Sequence, residues 1–329
     1  MLLDAGLPAD LDDVPAFVQD LEQRGYTGVW TSETAHDPFL PLLVAGRSTS
    51  RLQVGTAIAV AFARSPMTVA TTAHDLQRHT RGRFVLGLGT QVRAHVERRF
   101  SMPWSAPAPR MREYVAALRA IWAAWQESAP LRFRGEHYRH TLMTPVFAPD
   151  PHEWGAPPVH LAAVGPAMTR LAGEVGDGLL AHSFTTVRYL RERTLPALGE
   201  GLAAGGRTRE QVSVSLPGFV VTGGTEPERA ESAAAARSSI AFYGSTPAYR
   251  PVLELHGWGA LADELHALST GRREDRWTVM RDLVDDEVLS TFAVVADPAD
   301  VVREVRARFT GLVDRFTVAA AVAPLLDPA

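Results

Sequence analysis

Short apolar runs alternate with amphipathic segments along most of the chain. A short continuous run of apolar residues bounded by turn residues is typical of a strand in a parallel sheet. Apolar residues spaced three and four apart indicate a helix. This pattern predicts eight strands, at Met1–Ala5, Gly28–Thr31, Leu52–Ala59, Phe84–Leu88, Val159–Ala163, Gly178–Ala181, Val212–Thr222 and Phe316–Val322.

Helical segments separate these strands. The clearest carries an apolar stripe whose members lie four or three residues apart: Met111, Val115, Leu118, Trp122 and Trp125. Such a stripe predicts a buried helix face, so we interpret its tryptophans as core residues. Alternation of strands and helices predicts a parallel α/β fold with right-handed crossovers. A count of eight favours a (β/α)8 TIM barrel over an open sheet.

Three segments interrupt the alternation, near residues 91–105, 130–157 and 244–283. The second is irregular and rich in proline, histidine and aromatic residues, and the third has a largely helical pattern. Because strands and helices resume after each of them, we interpret them as insertions. The prediction is therefore one barrel domain over residues 1–329.

Composition removes several classes of chemistry. The chain has no cysteine, and all 33 of its basic residues are arginine, so disulfides, thiolate catalysis and lysine Schiff bases are excluded. A net charge of −4 gives no reason to expect nucleic acid as a partner. Neither a membrane span nor a signal peptide is visible, so we expect a cytoplasmic protein.

The histidines do not form a recognisable metal motif. His137 and His140 lie three residues apart in the irregular insertion, without carboxylates at a familiar spacing, and the H-E-x-x-H pattern is absent. We therefore predict no metal site. The G-x-S-x-G turn of serine hydrolases is also missing.

Barrel enzymes place their chemistry where the strands end at their carboxyl termini. After the second strand, Glu33 and His36 are candidate site residues, although Asp37-Pro38 is also an ordinary helix start. The third strand leads into small apolar residues, Ala57 to Ala63, which suit a flat apolar ligand. Gly87-Leu88-Gly89-Thr90 permits close backbone approach, and Gly165 before a helix offers a phosphate cradle.

Taken in order, these pieces resemble the bacterial-luciferase-like monooxygenase superfamily, in its branch that uses the deazaflavin coenzyme F420. The resemblance covers roughly residues 1–240 and returns near 288–324. It rests on a series of segments, namely Gly28–Glu33, Leu52–Thr56, Arg64–Pro66, Arg81–Thr90, Val159–Gly165 and Leu171–Gly178.

The resemblance implies a barrel that holds a flat tricyclic cofactor against a bulge in strand three. It also implies a cis peptide bond at Ala57–Ile58. The positions that match the family's cofactor pocket are Ala57, Ile58, Ala59, Val60, Gly89, Thr90, Ala163, Val164, Gly165 and Met168, together with Glu33 and His95. A homodimer, a small-molecule substrate and a flavin or F420 reductase as electron source are implied in the same way.

The chain departs from the sugar-phosphate dehydrogenases of this branch. Those enzymes have an acidic residue followed by a catalytic histidine, whereas the matching pair here is Glu33-Thr34, which lacks the histidine. Their second catalytic carboxylate is replaced by Val92, and their phosphate-binding lysine matches a position near Thr185. Oxidation of glucose 6-phosphate is therefore not expected. Our hypothesis is that either His36 or His95 takes the acid/base role, because histidine titrates in the useful range.

Three functions remain open from the sequence. The first is an F420-dependent oxidoreductase that transfers a hydride to or from a small organic substrate. The second is an FMN-dependent monooxygenase supplied with reduced flavin by a partner. The third is a non-catalytic flavin-binding homologue, since a fold alone does not establish chemistry.

Overall fold

Eight parallel strands close into a barrel in the computed structural model, which describes residues 1–328. The strands are β1 (Leu2–Gly6), β2 (Gly28–Thr31), β3 (Gln53–Thr56), β4 (Phe84–Gly89), β5 (Val159–Ala163), β6 (Gly178–Ala181), β7 (Ser213–Pro217) and β8 (Arg315–Val318). Each strand pairs with the next along the chain, and β8 pairs with β1, which closes the sheet. The predicted (β/α)8 barrel is thereby confirmed.

Helices connect the strands and surround the sheet. They are α1 (Val14–Arg24), α2 (Leu40–Ser48), α3 (Pro66–His79), α4 (Arg93–Arg98), α5 (Pro107–Gln126), α6 (Pro166–Val175), α7 (Val187–Tyr189), α8 (Leu195–Ala204), α9 (Glu226–Gly244), α10 (Arg250–Leu255), α11 (Gly259–Thr270), α12 (Arg276–Asp282), α13 (Asp286–Phe292) and α14 (Val301–Phe309). A π-helical turn, Leu190–Thr194, joins α7 to α8. No helix within residues 1–328 is long and apolar enough to cross a bilayer.

The prediction of a single strand over Val212–Thr222 was wrong. Strand β7 ends at Pro217, and Phe219–Val221 turns away to pair with Ala293–Val295 in a separate two-stranded parallel sheet. Gly218 lies at the break, where a Cβ atom would come within 2.0 Å of the Phe316 ring. The sequence is largely apolar across residues 212–222 because the segments before and after Gly218 are both mostly buried, each against different neighbours.

The predicted insertions lie outside the regular strand–helix alternation. Residues 91–105 contain only the short helix α4, and residues 130–157 contain a small hairpin that pairs Phe133–Arg134 with Arg139–His140. The segment 244–283 folds into α10, α11 and α12, as its pattern indicated. These helices, with α9 and α13, enclose a second apolar core, named here the insertion cluster. It comprises Phe184, Val221, Ala236, Ile240, Ala241, Val252, Leu253, Ala262, Leu265, Met280, Val284, Val288, Leu289, Phe292 and Ala293.

The main core lies between the barrel and its helices. Outward side chains of the strands, such as Leu3, Val54 and Phe316, pack there with the stripe of α5. All five residues of that stripe are buried, which confirms the interpretation of its tryptophans as core. Burial of a large apolar side chain stabilises the fold by roughly 1.5–3 kcal/mol, so this layer is a major source of stability.

The barrel interior has a polar layer and an apolar layer. Towards the amino-terminal ends of the strands, Asp4 receives hydrogen bonds from Arg315 at 2.6 and 2.7 Å and from Trp30 Nε1 at 2.9 Å. Nearer the carboxyl ends, Trp30, Val85 and Leu180 pack together with the partly buried Ala57, Ile58 and Ala162. The interior therefore presents an apolar floor to the end of the barrel where barrel enzymes bind their ligands.

Candidate active site

A bulge in the third strand shapes the carboxyl-terminal mouth of the barrel. Gly55 lies opposite Val85 and Ala59 opposite Leu88, so the three residues between Gly55 and Ala59 face the two residues between Val85 and Leu88. The Ala57–Ile58 peptide bond within this bulge is cis, as the resemblance implied. The Thr56 hydroxyl accepts a hydrogen bond from Gly87 N at 2.9 Å and donates one to Gly87 O at 2.7 Å. This side chain thus satisfies the backbone groups of β4 that the bulge leaves without strand partners.

Glu33 fastens the bulge from the neighbouring strand. Its backbone N–H donates to Ile58 O at 3.0 Å, and its carboxylate Oε2 accepts from Val60 N at 2.7 Å. The same oxygen lies 2.6 Å from Arg64 Nη1, and only 6% of the Glu33 side chain is exposed. Because its carboxylate is engaged in this way, Glu33 holds the bulge in place and is not aimed freely at the mouth.

The surface between Glu33 and β4 is apolar. Ala57 and Ile58 are half-buried. A Cβ atom added at Gly89 would lie only 2.8 Å from the Ile58 side chain, which is too close for a normal contact. Glycine at residue 89 therefore lets Ile58 pack against β4. With the floor beneath it, the bulge forms an apolar shelf suited to the face of a flat ring.

The start of helix α6 provides a site of opposite character. Gly165 is its N-cap residue. Within residues 1–328, no side chain caps the helix and no atom lies within 4 Å of the position that a Cβ atom would occupy. The first N–H groups of a helix lack partners within the helix and favour an anion. An apolar shelf together with an uncapped helix start fits a flat cofactor that carries a phosphate. Val164 and Met168 are half-buried beside this start, and Thr90 is half-buried at the end of β4.

The two histidines proposed from the sequence lie at the surface of the mouth. His36 and His95 are exposed, on the loop after β2 and on α4. Arg99 donates to Thr34 O, which joins these two segments. Neither histidine is a partner of the Glu33 carboxylate, which is bound by Val60 and Arg64. Both candidates therefore lie on segments at the mouth, outside the hydrogen bonds that hold the Glu33 carboxylate.

His182 is the titratable group at the mouth that the sequence reasoning did not select. It directly follows β6, and its Nδ1 accepts a hydrogen bond from Phe184 N at 3.0 Å. Its Nε2 lies 3.1 Å from the Tyr249 hydroxyl, and the rings of Tyr243 and Tyr249 are both 4.6 Å from its own, centroid to centroid. Burial lowers the pKa of His182 to about 4.

The signal for His182 was present in the sequence. A histidine immediately after a predicted barrel strand satisfies the same rule that selected Glu33 and Gly165. The partners of His182 could not be anticipated, because Tyr243 and Tyr249 come from α9 and the turn before α10, where the third insertion begins. Only the folded insertion brings these rings to the end of β6.

The sequence is similar to known proteins over nearly its whole length. It is 53% identical over 313 residues to an uncharacterised protein of Mycobacterium tuberculosis, a match covering 95% of this chain and 91% of that protein. It is 30% identical over 287 residues to a putative coenzyme F420-dependent oxidoreductase of the same species, covering 82% and 80% of the two chains.

The fold is shared with solved structures of low sequence identity. The coenzyme F420-dependent tetrahydromethanopterin reductase from Methanopyrus kandleri superimposes with a TM-score of 0.79 at 18% identity, covering 98% of this chain and 95% of that one. An EDTA monooxygenase from Chelativorans gives a TM-score of 0.75 at 15% identity, covering 100% and 92%. The model of the luciferase-like monooxygenase family matches residues 3–315. This chain belongs to the luciferase-like monooxygenase family.

Proposed function

We propose that this protein is an F420-dependent oxidoreductase that transfers a hydride between the deazaflavin and a small organic substrate. The observation that carries the proposal is the apolar shelf of Ala57 and Ile58, fastened by Glu33 and lying at the same mouth as the uncapped start of α6. The proposal is supported by the 30% identical relative, whose name is that of a putative F420-dependent oxidoreductase.

In this proposal the residues assigned by resemblance would divide between the ring and the tail of the cofactor. The backbone at Ala57–Val60 and Gly89–Thr90 would border the ring, and Ala163–Gly165 with Met168 would hold the phosphate-bearing tail at the helix start. When bound, a deazaflavin supplies or accepts a hydride. The protein's own contribution is then orientation, exclusion of water by the apolar floor, and one group that exchanges a proton with the substrate.

An FMN-dependent monooxygenase is the second candidate. It is favoured by the structural likeness to the EDTA monooxygenase, at a TM-score of 0.75. The shelf and the helix start would accept either cofactor, because both carry a flat tricyclic ring and a phosphate. The homodimer, the reductase partner and the non-catalytic alternative stay predictions.

Equilibrium binding of purified protein to coenzyme F420 and to FMN, followed by quenching of cofactor fluorescence, separates the candidates. Tighter binding of F420 supports the proposed function, and hydride transfer from the reduced cofactor to a panel of aldehydes and ketones is then the activity assay. Tighter binding of FMN, with oxygen consumed when reduced FMN is supplied, would establish the monooxygenase instead. Binding of neither cofactor would favour the non-catalytic homologue.

A further inference from the structure

We infer that the Tyr249 hydroxyl donates a hydrogen bond, and during turnover a proton, to the oxygen atom of a neutral carbonyl substrate, and that His182 positions this hydroxyl. The donation of a hydrogen bond rests on the geometry of the mouth alone. The transfer of a proton rests on the proposed function, in which the carbonyl carbon accepts a hydride. The pair lies beside the segment assigned to the cofactor, because β5 and β6 are adjacent.

The register of the barrel places the pair. Ala163 lies opposite Ala181, so the next residues of the two chains, Val164 and His182, leave the sheet side by side. Val164 belongs to the segment that leads into the uncapped start of α6. The Tyr249 ring packs against His182 from the insertion side and is half-buried, so its hydroxyl lies at the boundary between barrel and insertion.

The hydrogen bonds fix which way the protons point. His182 Nδ1 accepts from the Phe184 N–H at 3.0 Å, so in the neutral ring the proton resides on Nε2. Nε2 is 3.1 Å from the Tyr249 oxygen and therefore donates to it. The hydrogen of the Tyr249 hydroxyl is then left for another acceptor.

Burial keeps both groups in these forms near neutral pH. It lowers the pKa of His182 to about 4, so the ring is neutral, and it raises the pKa of Tyr249 to about 12, so the phenol retains its proton. The pair is thus a neutral donor. A neutral donor suits a carbonyl oxygen, whereas a carboxylate or phosphate is usually met by a cation.

Two arginines near this corner are already engaged in ion pairs. Arg250, which follows Tyr249, pairs with Glu254 and Asp263, and Arg188 pairs with Glu192. Thr185, where the resemblance places the phosphate-binding lysine of sugar-phosphate enzymes, is buried, and its hydroxyl has no hydrogen-bond partner among residues 1–328. These observations favour a neutral substrate over a phosphorylated one.

The proton balance of the step is simple. As a hydride from the reduced deazaflavin reaches the carbonyl carbon, the electron pair of the C=O π bond moves to oxygen. The Tyr249 O–H bond breaks and a new O–H bond forms on that oxygen, giving an alcohol, while the deazaflavin is oxidised. The resulting phenolate would be stabilised by the His182 Nε2–H. It would regain a proton from water, and that water would be restored by the proton that a reduced deazaflavin releases when it is oxidised.

The test uses the infrared carbonyl stretch of cyclohexanone added to the full-length protein, with and without F420. A hydrogen bond from Tyr249 should lower the frequency of this band in the wild type, and Tyr249→Phe should abolish the shift. Tyr189→Phe is the matched control, because Tyr189 packs on the same insertion cluster outside the ring contacts of His182. His182→Leu should weaken the shift, and His182→Gln, which retains an N–H donor, should restore most of it.

Single-turnover hydride transfer from reduced F420 to the ketones and aldehydes of the panel provides the second measurement. Loss of a general acid usually costs at least about 100-fold, so Tyr249→Phe should slow transfer by that factor while F420 affinity is unchanged. Equal shifts or equal rates in wild type and Tyr249→Phe would overturn the inference, as would the absence of any shift in the wild type. If F420 does not bind but the shift of the carbonyl band still depends on Tyr249, the hydrogen bond stands. That result would overturn only the proposed function and the proton transfer that rests on it.

Discussion

Arg64 Nη1 lies 2.6 Å from Glu33 Oε2 at the mouth of the barrel, and the same carboxylate oxygen also accepts a hydrogen bond from the backbone N–H of Val60. Glu33 follows β2, whereas Val60 and Arg64 follow the bulge of β3. The ion pair therefore links two neighbouring strand ends and sets where the apolar shelf of Ala57 and Ile58 lies.

We expect Glu33→Ala to lower the free energy of unfolding by about 2–3 kcal/mol, because hydrogen bonds to charged groups contribute about 1.5–3 kcal/mol and the Val60 N–H is left unpaired. Cofactor affinity should fall with it, since the shelf loses its fastening. Urea unfolding and cofactor titration measure the two effects. Asp37→Asn is the matched control: Asp37 meets Arg64 at 3.5 Å and is 42% exposed, so a change below about 1 kcal/mol is expected.

Thr56→Val should destabilise the fold by about 2–3 kcal/mol without changing side-chain volume. The substitution leaves the N–H and C=O of Gly87 without the hydroxyl that pairs them at 2.9 and 2.7 Å. Thr56→Ser retains the hydroxyl and should restore most of the stability. Chemical denaturation of the three proteins is the measurement. Equal stability of the valine and serine variants would mean that the hydroxyl does not support the bulge.

The sequence was sufficient to predict the barrel because each barrel strand is a short, largely buried run and each connecting helix has an amphipathic face. It could not predict that residues 212–222 divide at Gly218, since both halves are apolar and only their neighbours differ. At the site, the rule that strand ends carry chemistry selected Glu33, but it could not show that Arg64 and Val60 occupy its carboxylate. His182 was passed over because its significance depends on Tyr249, which is 67 residues away in the sequence.

Asp4→Asn should cost about 3–5 kcal/mol of stability, the range found when one partner of a buried ion pair is removed. Asp4 is fully buried and Arg315 is 6% exposed, with two hydrogen bonds between them. The double variant Asp4→Asn, Arg315→Met removes the uncompensated charge and should be more stable than Asp4→Asn alone. Thermal or urea unfolding of the single and double variants would show this order, and the reverse order would contradict it.

Acidification should destabilise the protein through its buried histidines. Burial, with a smaller contribution from the Arg315 charge, lowers the pKa of His160 from 6.5 to about 4. Between those two values the unfolded chain binds a proton that the folded chain does not, so the free energy of unfolding falls as the pH falls. The loss between about pH 7 and pH 5 is about 2 kcal/mol for such a group. His160→Gln should reduce the slope of unfolding free energy against pH, and an unchanged slope would exclude His160 as its source.

Gly165→Ala should separate cofactor binding from stability. No atom of residues 1–328 lies within 4 Å of the position that a Cβ atom would take at Gly165, so alanine should cost only the small loss of stability, below about 1 kcal/mol, expected when it replaces glycine at an N-cap. If the cofactor's phosphate approaches the helix start here, the added methyl group should lower cofactor affinity by at least about tenfold, which corresponds to about 1.4 kcal/mol.

Gly199→Ala is the matched control, because Gly199 on α8 is equally open but lies on an outer helix. Fluorescence titration with F420 and FMN, alongside urea unfolding, should show weaker binding only for Gly165→Ala. Equal affinity in both variants would place the phosphate away from the start of α6.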